Sequence, residues 1–182
     1  MGLDGFQSFV LDIASSKVPT AAAVHGACPA GGTVLALATD YKITAWPAPA
    51  KFSMGLNETR VGLAPPLWLH ALARLNLASP RIAETVIQLG TLYNDPYEAQ
   101  KLGFLDTVLE NASLEDAEEV ASARLLELAS IPWEARVAAK LGARAELLAL
   151  LRDPDESIVD CIVGDEFQRV TGDLLVSLKK NK

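Results

Sequence analysis

The stretch from residue 20 to 38 constrains the fold more than any other. Residues 20–25, Thr-Ala-Ala-Ala-Val-His, form a small-apolar run of strand length between Pro19 and Gly26. Such a run, with no polar alternation, predicts a strand buried on both faces, as strands of parallel sheets are. A loop over residues 26–30 is expected next. Gly31-Gly32-Thr33 then opens Val34-Leu-Ala-Leu-Ala38, too apolar for a surface helix and so read as a buried helix ending near Asp40. A buried strand feeding a buried helix through two glycines is the elementary unit of a layered α/β fold.

The rest of the first 110 residues fits that unit. Phe6, Phe9, Val10 and Ile13 recur at helical spacing over residues 6–14, and residues 41–45 read as the next strand. Two prolines in residues 46–50 predict an exposed turn, with the chain re-entering at 51–54. Residues 55–62, Gly-Leu-Asn-Glu-Thr-Arg-Val-Gly, read as a loop, followed by an apolar helix over 66–75. Ser79-Pro80 and Asp95-Pro96 each pair an N-cap with a first-turn proline, predicting helices that stop at Gly90 and Gly103. One more strand is expected over 104–109. Beyond residue 111 the pattern is helical only, with helices predicted over 113–129, 132–151 and 155–178. Two regions follow: an α/β core over 1–110 and a helical region over 111–182.

Half of the 182 residues are apolar and the net charge is −7, a composition of globular chains that is poorly suited to a nucleic-acid or anionic-membrane surface. A local basic patch could still hold one anionic ligand. The two cysteines, Cys28 and Cys161, form no CxxC pair, so neither a disulfide framework nor a zinc site is suggested, and a reducing compartment fits. The apolar run 21–38 is interrupted by glycines, Pro29 and His25, so no transmembrane helix is expected. The first residues resemble neither a signal peptide nor a transit peptide, and no targeting segment is expected on this chain.

Three constellations could carry chemistry. Gly31-Gly32 at a helix N-terminus could present backbone N–H groups to an oxyanion, or could serve only tight strand–helix packing. GxxxxGK[ST] and GxGxxG are both absent, so the nucleotide-triphosphate and dinucleotide readings lose their main support. Glu58 lies in a glycine-bounded loop before an apolar run that could desolvate it toward a general base; a solvated or capping acid is the other reading. Asn57 beside it could be a turn residue. Cys28, near a helix N-terminus, is conceivable as a nucleophile but reads better as a loop-lining side chain. His25 and His70 lack partners at catalytic spacing, and His25 reads as a hydrogen-bonded core residue.

Ala23-Val-His-Gly-Ala-Cys-Pro-Ala-Gly-Gly32, Ala36-Leu-Ala-Thr-Asp-Tyr-Lys-Ile43 and Gly55-Leu-Asn-Glu-Thr-Arg-Val-Gly62 together resemble the enoyl-CoA hydratase/isomerase (crotonase) superfamily, on its mitochondrial Δ3,Δ2-enoyl-CoA isomerase (dodecenoyl-CoA isomerase) branch. The resemblance runs from about Val18 into the helical region and weakens after about Leu109. It implies a crotonase-like ββα spiral core, short at its N-terminus, with a helical C-terminal region that assembles trimers. Gly31 would then supply an oxyanion N–H for a thioester, Glu58 would be the acid–base, and Asn57 would line the acyl site.

The implied activity is transfer of a 3-enoyl-CoA double bond to the trans-2 position in fatty-acid β-oxidation. No cofactor is implied beyond the coenzyme A of an unsaturated fatty acyl-CoA substrate, and no metal. Hydratases of the superfamily use a second glutamate where this chain has Val34, which favours a one-base proton shuttle. The family's preceding ββα units, with a second oxyanion donor, have no counterpart ahead of the strand at 20–25. A catalytically impaired acyl-CoA-binding or assembly subunit is therefore an alternative, with a hydratase behind it. The resemblance implies the mitochondrial matrix, with the peroxisome second.

Overall fold

The computed structural model describes residues 3–47, 51–153 and 157–180. Three parallel strands, β1 (Ala21–Val24), β3 (Tyr41–Trp46) and β5 (Thr107–Glu110), form a sheet in the order β1-β3-β5. A second parallel pair joins β2 (Ala27–Pro29) to β4 (Ser53–Gly55). The period of two divides the first sheet cleanly. Ala22, Val24, Trp46 and Val108 belong to the main core, whereas Ala21, Ala23, Ile43, Ala45 and Leu109 pack against Ala117 and Ala121 of α6 (Leu114–Ser130). Burial on both faces is what the unalternated run at 20–25 predicts.

Helix α2 (Gly31–Ala38) is the centre of the main core, with Val34, Ala36, Leu37 and Ala38 all buried. Around it lie α1 (Leu3–Ser15), α3 (Leu67–Asn76), α4 (Pro80–Leu89) and α5 (Pro96–Leu102). Ser79 and Asp95 accept bonds from Ile82 N–H and Tyr97 N–H, so both proline-led helix starts are built as their sequences predict. The late helices α7 (Trp133–Ala143) and α8 (Ala145–Arg152) close the core, with Leu147, Leu148 and Leu151 buried in it. Two further helices, α9 (Ser157–Val163) and α10 (Asp165–Lys180), complete the described chain. None of the described helices is long and apolar enough to cross a membrane.

Several boundaries differ from the sequence expectation. Residues 26–30 contain strand β2, because Cys28 pairs with Met54 on a ladder that local sequence does not reveal. Phe104 and Leu105 are buried but precede β5, which begins only at Thr107. The helix expected over 132–151 breaks at Arg144, whose side chain is drawn to carbonyls of other elements. That expected over 155–178 breaks at Gly164, the residue least suited to a helix interior after proline. Trp46 belongs to β3, and the rest of the expected proline turn at 48–50, like Asp155, lies outside the described residues.

Candidate active site

The two glycine-bearing motifs are tied together by backbone. Pro29 pairs with Gly55 on the β2–β4 ladder, and Ala30 N–H donates to Gly55 O at 2.9 Å. Thr33 fastens the same point from α2: its hydroxyl accepts Gly55 N–H at 2.9 Å and donates to Cys28 O. A Cβ on Gly55 would lie 2.3 Å from Thr91 O, so no larger residue fits where the segment turns toward Glu58. This places the start of α2 two residues beyond one side of the ladder and Glu58 three residues beyond the other.

The glycine pair divides into two jobs. A Cβ on Gly32 would approach Cys28 Sγ to 3.0 Å, so Gly32 serves packing. On Gly31 a Cβ would meet only the Phe6 ring of α1, at 3.4 Å. Ala30, at φ 47°, turns the chain sharply into the helix. Val34 N–H is the first to bond back, to Ala30 O at 2.9 Å, so the N–H groups ahead of it at the positive end of α2 are those free of helical bonding.

Glu58 opens a single 3-10 turn, Glu58–Val61, rather than a plain loop. Gly62 in the left-handed conformation closes it, and Leu63 N–H returns to Glu58 O at 3.0 Å. Thr59 Oγ1 donates to Ile87 O at 3.0 Å and Arg60 Nε to Leu89 O at 2.6 Å, which pins the turn to the end of α4. From the other side Phe167 of α10 packs over Gly62, and Cys161 Sγ bridges Gly62 O and Ala64 N. Glu58 is only 9% exposed, and its Oε2 has no hydrogen-bond partner; neither has Asn57 Oδ1. Burial pushes the Glu58 pKa above the ordinary carboxylate value, outweighing its own backbone N–H, which works in the opposite direction. A rigidly held, desolvated carboxylate with a free oxygen is unfavourable for stability and suited to taking and returning a proton.

Other sequence candidates fare differently. Cys28 is half-buried and its thiol pKa is raised by burial, the reverse of an activated thiolate. His25 is exposed rather than in the core, because β1 ends one residue before it. His70, on α3, is held below the usual imidazole value by burial and then by Arg74. Val34 is fully buried among apolar side chains, so no carboxylate stands at that position. Among the described residues no group of three or more His, Cys, Asp or Glu is placed to hold a metal ion. Thr33, Thr59 and Arg60 were not legible in the sequence, since their roles depend on carbonyls distant along the chain.

The sequence model of enoyl-CoA hydratase/isomerase matches residues 4–150. The chain belongs to that family. Human mitochondrial enoyl-CoA delta isomerase 1 is 34% identical over 180 residues, covering 97% of this chain and 57% of the relative. The rat protein of the same name is 30% identical over 177 residues, with 97% and 60% covered. In the crystal structure of human mitochondrial delta3-delta2-enoyl-CoA isomerase the fold superposes with a TM-score of 0.86 at 33% identity, covering 98% of this chain and 68% of that one. The architecture is thus that of the crotonase family. The chain spans 57–60% of the length of these curated relatives.

Proposed function

We propose that this member of the enoyl-CoA hydratase/isomerase family is a Δ3,Δ2-enoyl-CoA isomerase. The observation that carries the reading is Glu58: buried, held by a turn anchored on both sides, and with one oxygen unpaired. With a 3-enoyl-CoA in place, ionised Glu58 takes a proton from C2. The C2–H electrons form a dienolate whose negative charge reaches the thioester oxygen. Gly31 N–H, at the positive end of α2, donates to that oxygen and stabilises the charge as it develops. Glu58 then returns the proton to C4, leaving the double bond between C2 and C3. Atoms and electrons balance with no cofactor other than the coenzyme A of the substrate.

Val34 supports isomerisation over hydration, because adding water calls for a second group to place the nucleophile, and this position is apolar core. Asn57 lines the acyl side. The compartment named for the relatives, the mitochondrion, is the one we assign, and residues 111–182 are proposed to carry assembly into a trimer over the α/β core of residues 1–110.

The test follows formation of the conjugated 2-enoyl thioester from a 3-enoyl-CoA by wild type and Glu58→Gln. Turnover is expected in the wild type and a loss of at least about a hundredfold in the variant. Retained turnover in Glu58→Gln would overturn the assignment. The other outcome of the test is an acyl-CoA-binding or assembly subunit without turnover: a folded wild type that binds acyl-CoA and leaves the double bond where it is.

A further inference from the structure

A second polar centre lies at the opposite end of α2 from Gly31. Asp40, two residues past that helix, accepts Lys140 Nζ at 2.8 Å and Thr20 N–H at 2.9 Å on Oδ2, and Arg144 at 3.0 Å on Oδ1. Arg144 is fully engaged, since it also donates to Ala14 O, Ala38 O and Thr39 O. Arg136 lies one turn before Lys140 on the same face of α7. It donates to Lys17 O and stacks over Trp133 at 5.2 Å, but its Nε has no partner although the residue is only 9% exposed.

These three cations border a cavity of about 330 Å³ that Lys42 also lines. Lys42 is neutralised by Asp106 at 3.1 Å, and among the described residues Asp40 is the single carboxylate on the cavity wall. Arg136, Lys140 and Arg144 therefore share one negative charge, and two positive charges are left uncompensated in a poorly solvated place. Burial holds the Lys140 pKa below the usual amine value; Asp40 opposes that shift, and Arg144 and Arg136 add to it more weakly. Asp40 screens Lys140 from Arg144, and among the described residues no carboxylate pairs with Arg136.

We infer that this cavity binds a phosphate-type dianion, received by Lys140 Nζ and the Arg136 guanidinium on its wall. A doubly charged tetrahedral oxyanion matches the excess of two positive charges on the wall. Leu75 and Leu128 on the wall leave an apolar border for the organic part of a phosphate monoester, so the ion could be free or esterified. The inference is independent of Glu58, and its readout is binding rather than turnover.

The test titrates the full chain with inorganic phosphate and, separately, with butyl phosphate, against sodium chloride at matched ionic strength, reading the heat of binding and the thermal midpoint. Saturable binding is expected with at least one phosphate and not with chloride; tighter binding of butyl phosphate identifies an esterified ligand, and equal affinity a free ion. Removing one charge-assisted bond in Arg136→Gln should weaken binding by about tenfold or more. Lys140→Gln should weaken it also, which serves if the first variant does not fold. With wild type alone, the phosphorus resonance of inorganic phosphate should broaden with the protein and recover on adding sulfate but not chloride. Equal responses to phosphate and chloride, or unchanged affinity in a folded Arg136→Gln chain, would overturn the inference.

Discussion

An ionised Glu58 is a burden on this fold at neutral pH, because its carboxylate is buried with one oxygen unpaired. Its folded-state pKa is raised, so between the ordinary carboxylate value and that raised value the native chain binds more protons than the unfolded chain. Stability contributed by the protonated form is then fully present below the ordinary value and is lost as pH rises through the raised one. Glu58→Gln removes the titration while keeping the shape. The variant should therefore be more stable than wild type at pH 7, with the difference shrinking on acidification, as denaturant melts at a series of pH values would measure. A wild type that matched or exceeded the variant at pH 7 would mean that Glu58 is solvated. The same raised pKa places the acidic limb of kcat/KM above the ordinary glutamate range, since only the ionised form accepts the C2 proton; an initial-rate profile on a 3-enoyl-CoA checks this. At this scale short motifs singled out Gly31, Asn57 and Glu58, and the proposed function rests on them. What the motif could not convey was environment: Gly32 rather than Gly31 proved to be the packing glycine, and His25 lies in solvent.

Elements were legible wherever their signals were local. The caps at Ser79, Asp95 and Ser113 and the proline starts all lie within one turn of the helix they open. The break between α7 and α8 was not legible, because its cause is tertiary. Arg144, at the junction, bonds the C-terminal carbonyls of α2, Ala14 O of α1 and Asp40, which fixes three elements at one point. Strand β2 was missed for the same reason, since three residues including a proline become a strand only through Met54 and its neighbours. Arg144→Met tests the junction. It leaves carbonyls at the end of α2 unpaired and Asp40 with Lys140 as its remaining cation, a loss of roughly 3 kcal/mol for breaking a buried, hydrogen-bonded charge pair. Equilibrium urea unfolding should show the midpoint fall with little change in slope. A change under about 0.5 kcal/mol, the size of an ordinary surface substitution, would show that the junction is held by apolar packing alone.

At the scale of the whole molecule, the helical second half does not lie beside the α/β layer but completes it. Helix α6 covers the face of β1 and β3 that α2 does not, and α8 inserts Leu147, Leu148 and Leu151 among Val10, Ala14 and the side chains of α3. Burying those three leucines contributes roughly 5–9 kcal/mol at about 1.5–3 kcal/mol each. A domain of ordinary stability has about 5–15 kcal/mol in total. A chain ending at residue 110 would lose that contribution, the Arg144 junction and the cover of the outer sheet face together. It should therefore show no cooperative unfolding transition, and it should bind a hydrophobic dye where the full chain does not, whereas the full chain should melt in one step by calorimetry and by circular dichroism. A cooperative melt of the shortened chain would mean that the α/β layer is sufficient by itself, and that residues 111–182 are free to serve assembly alone.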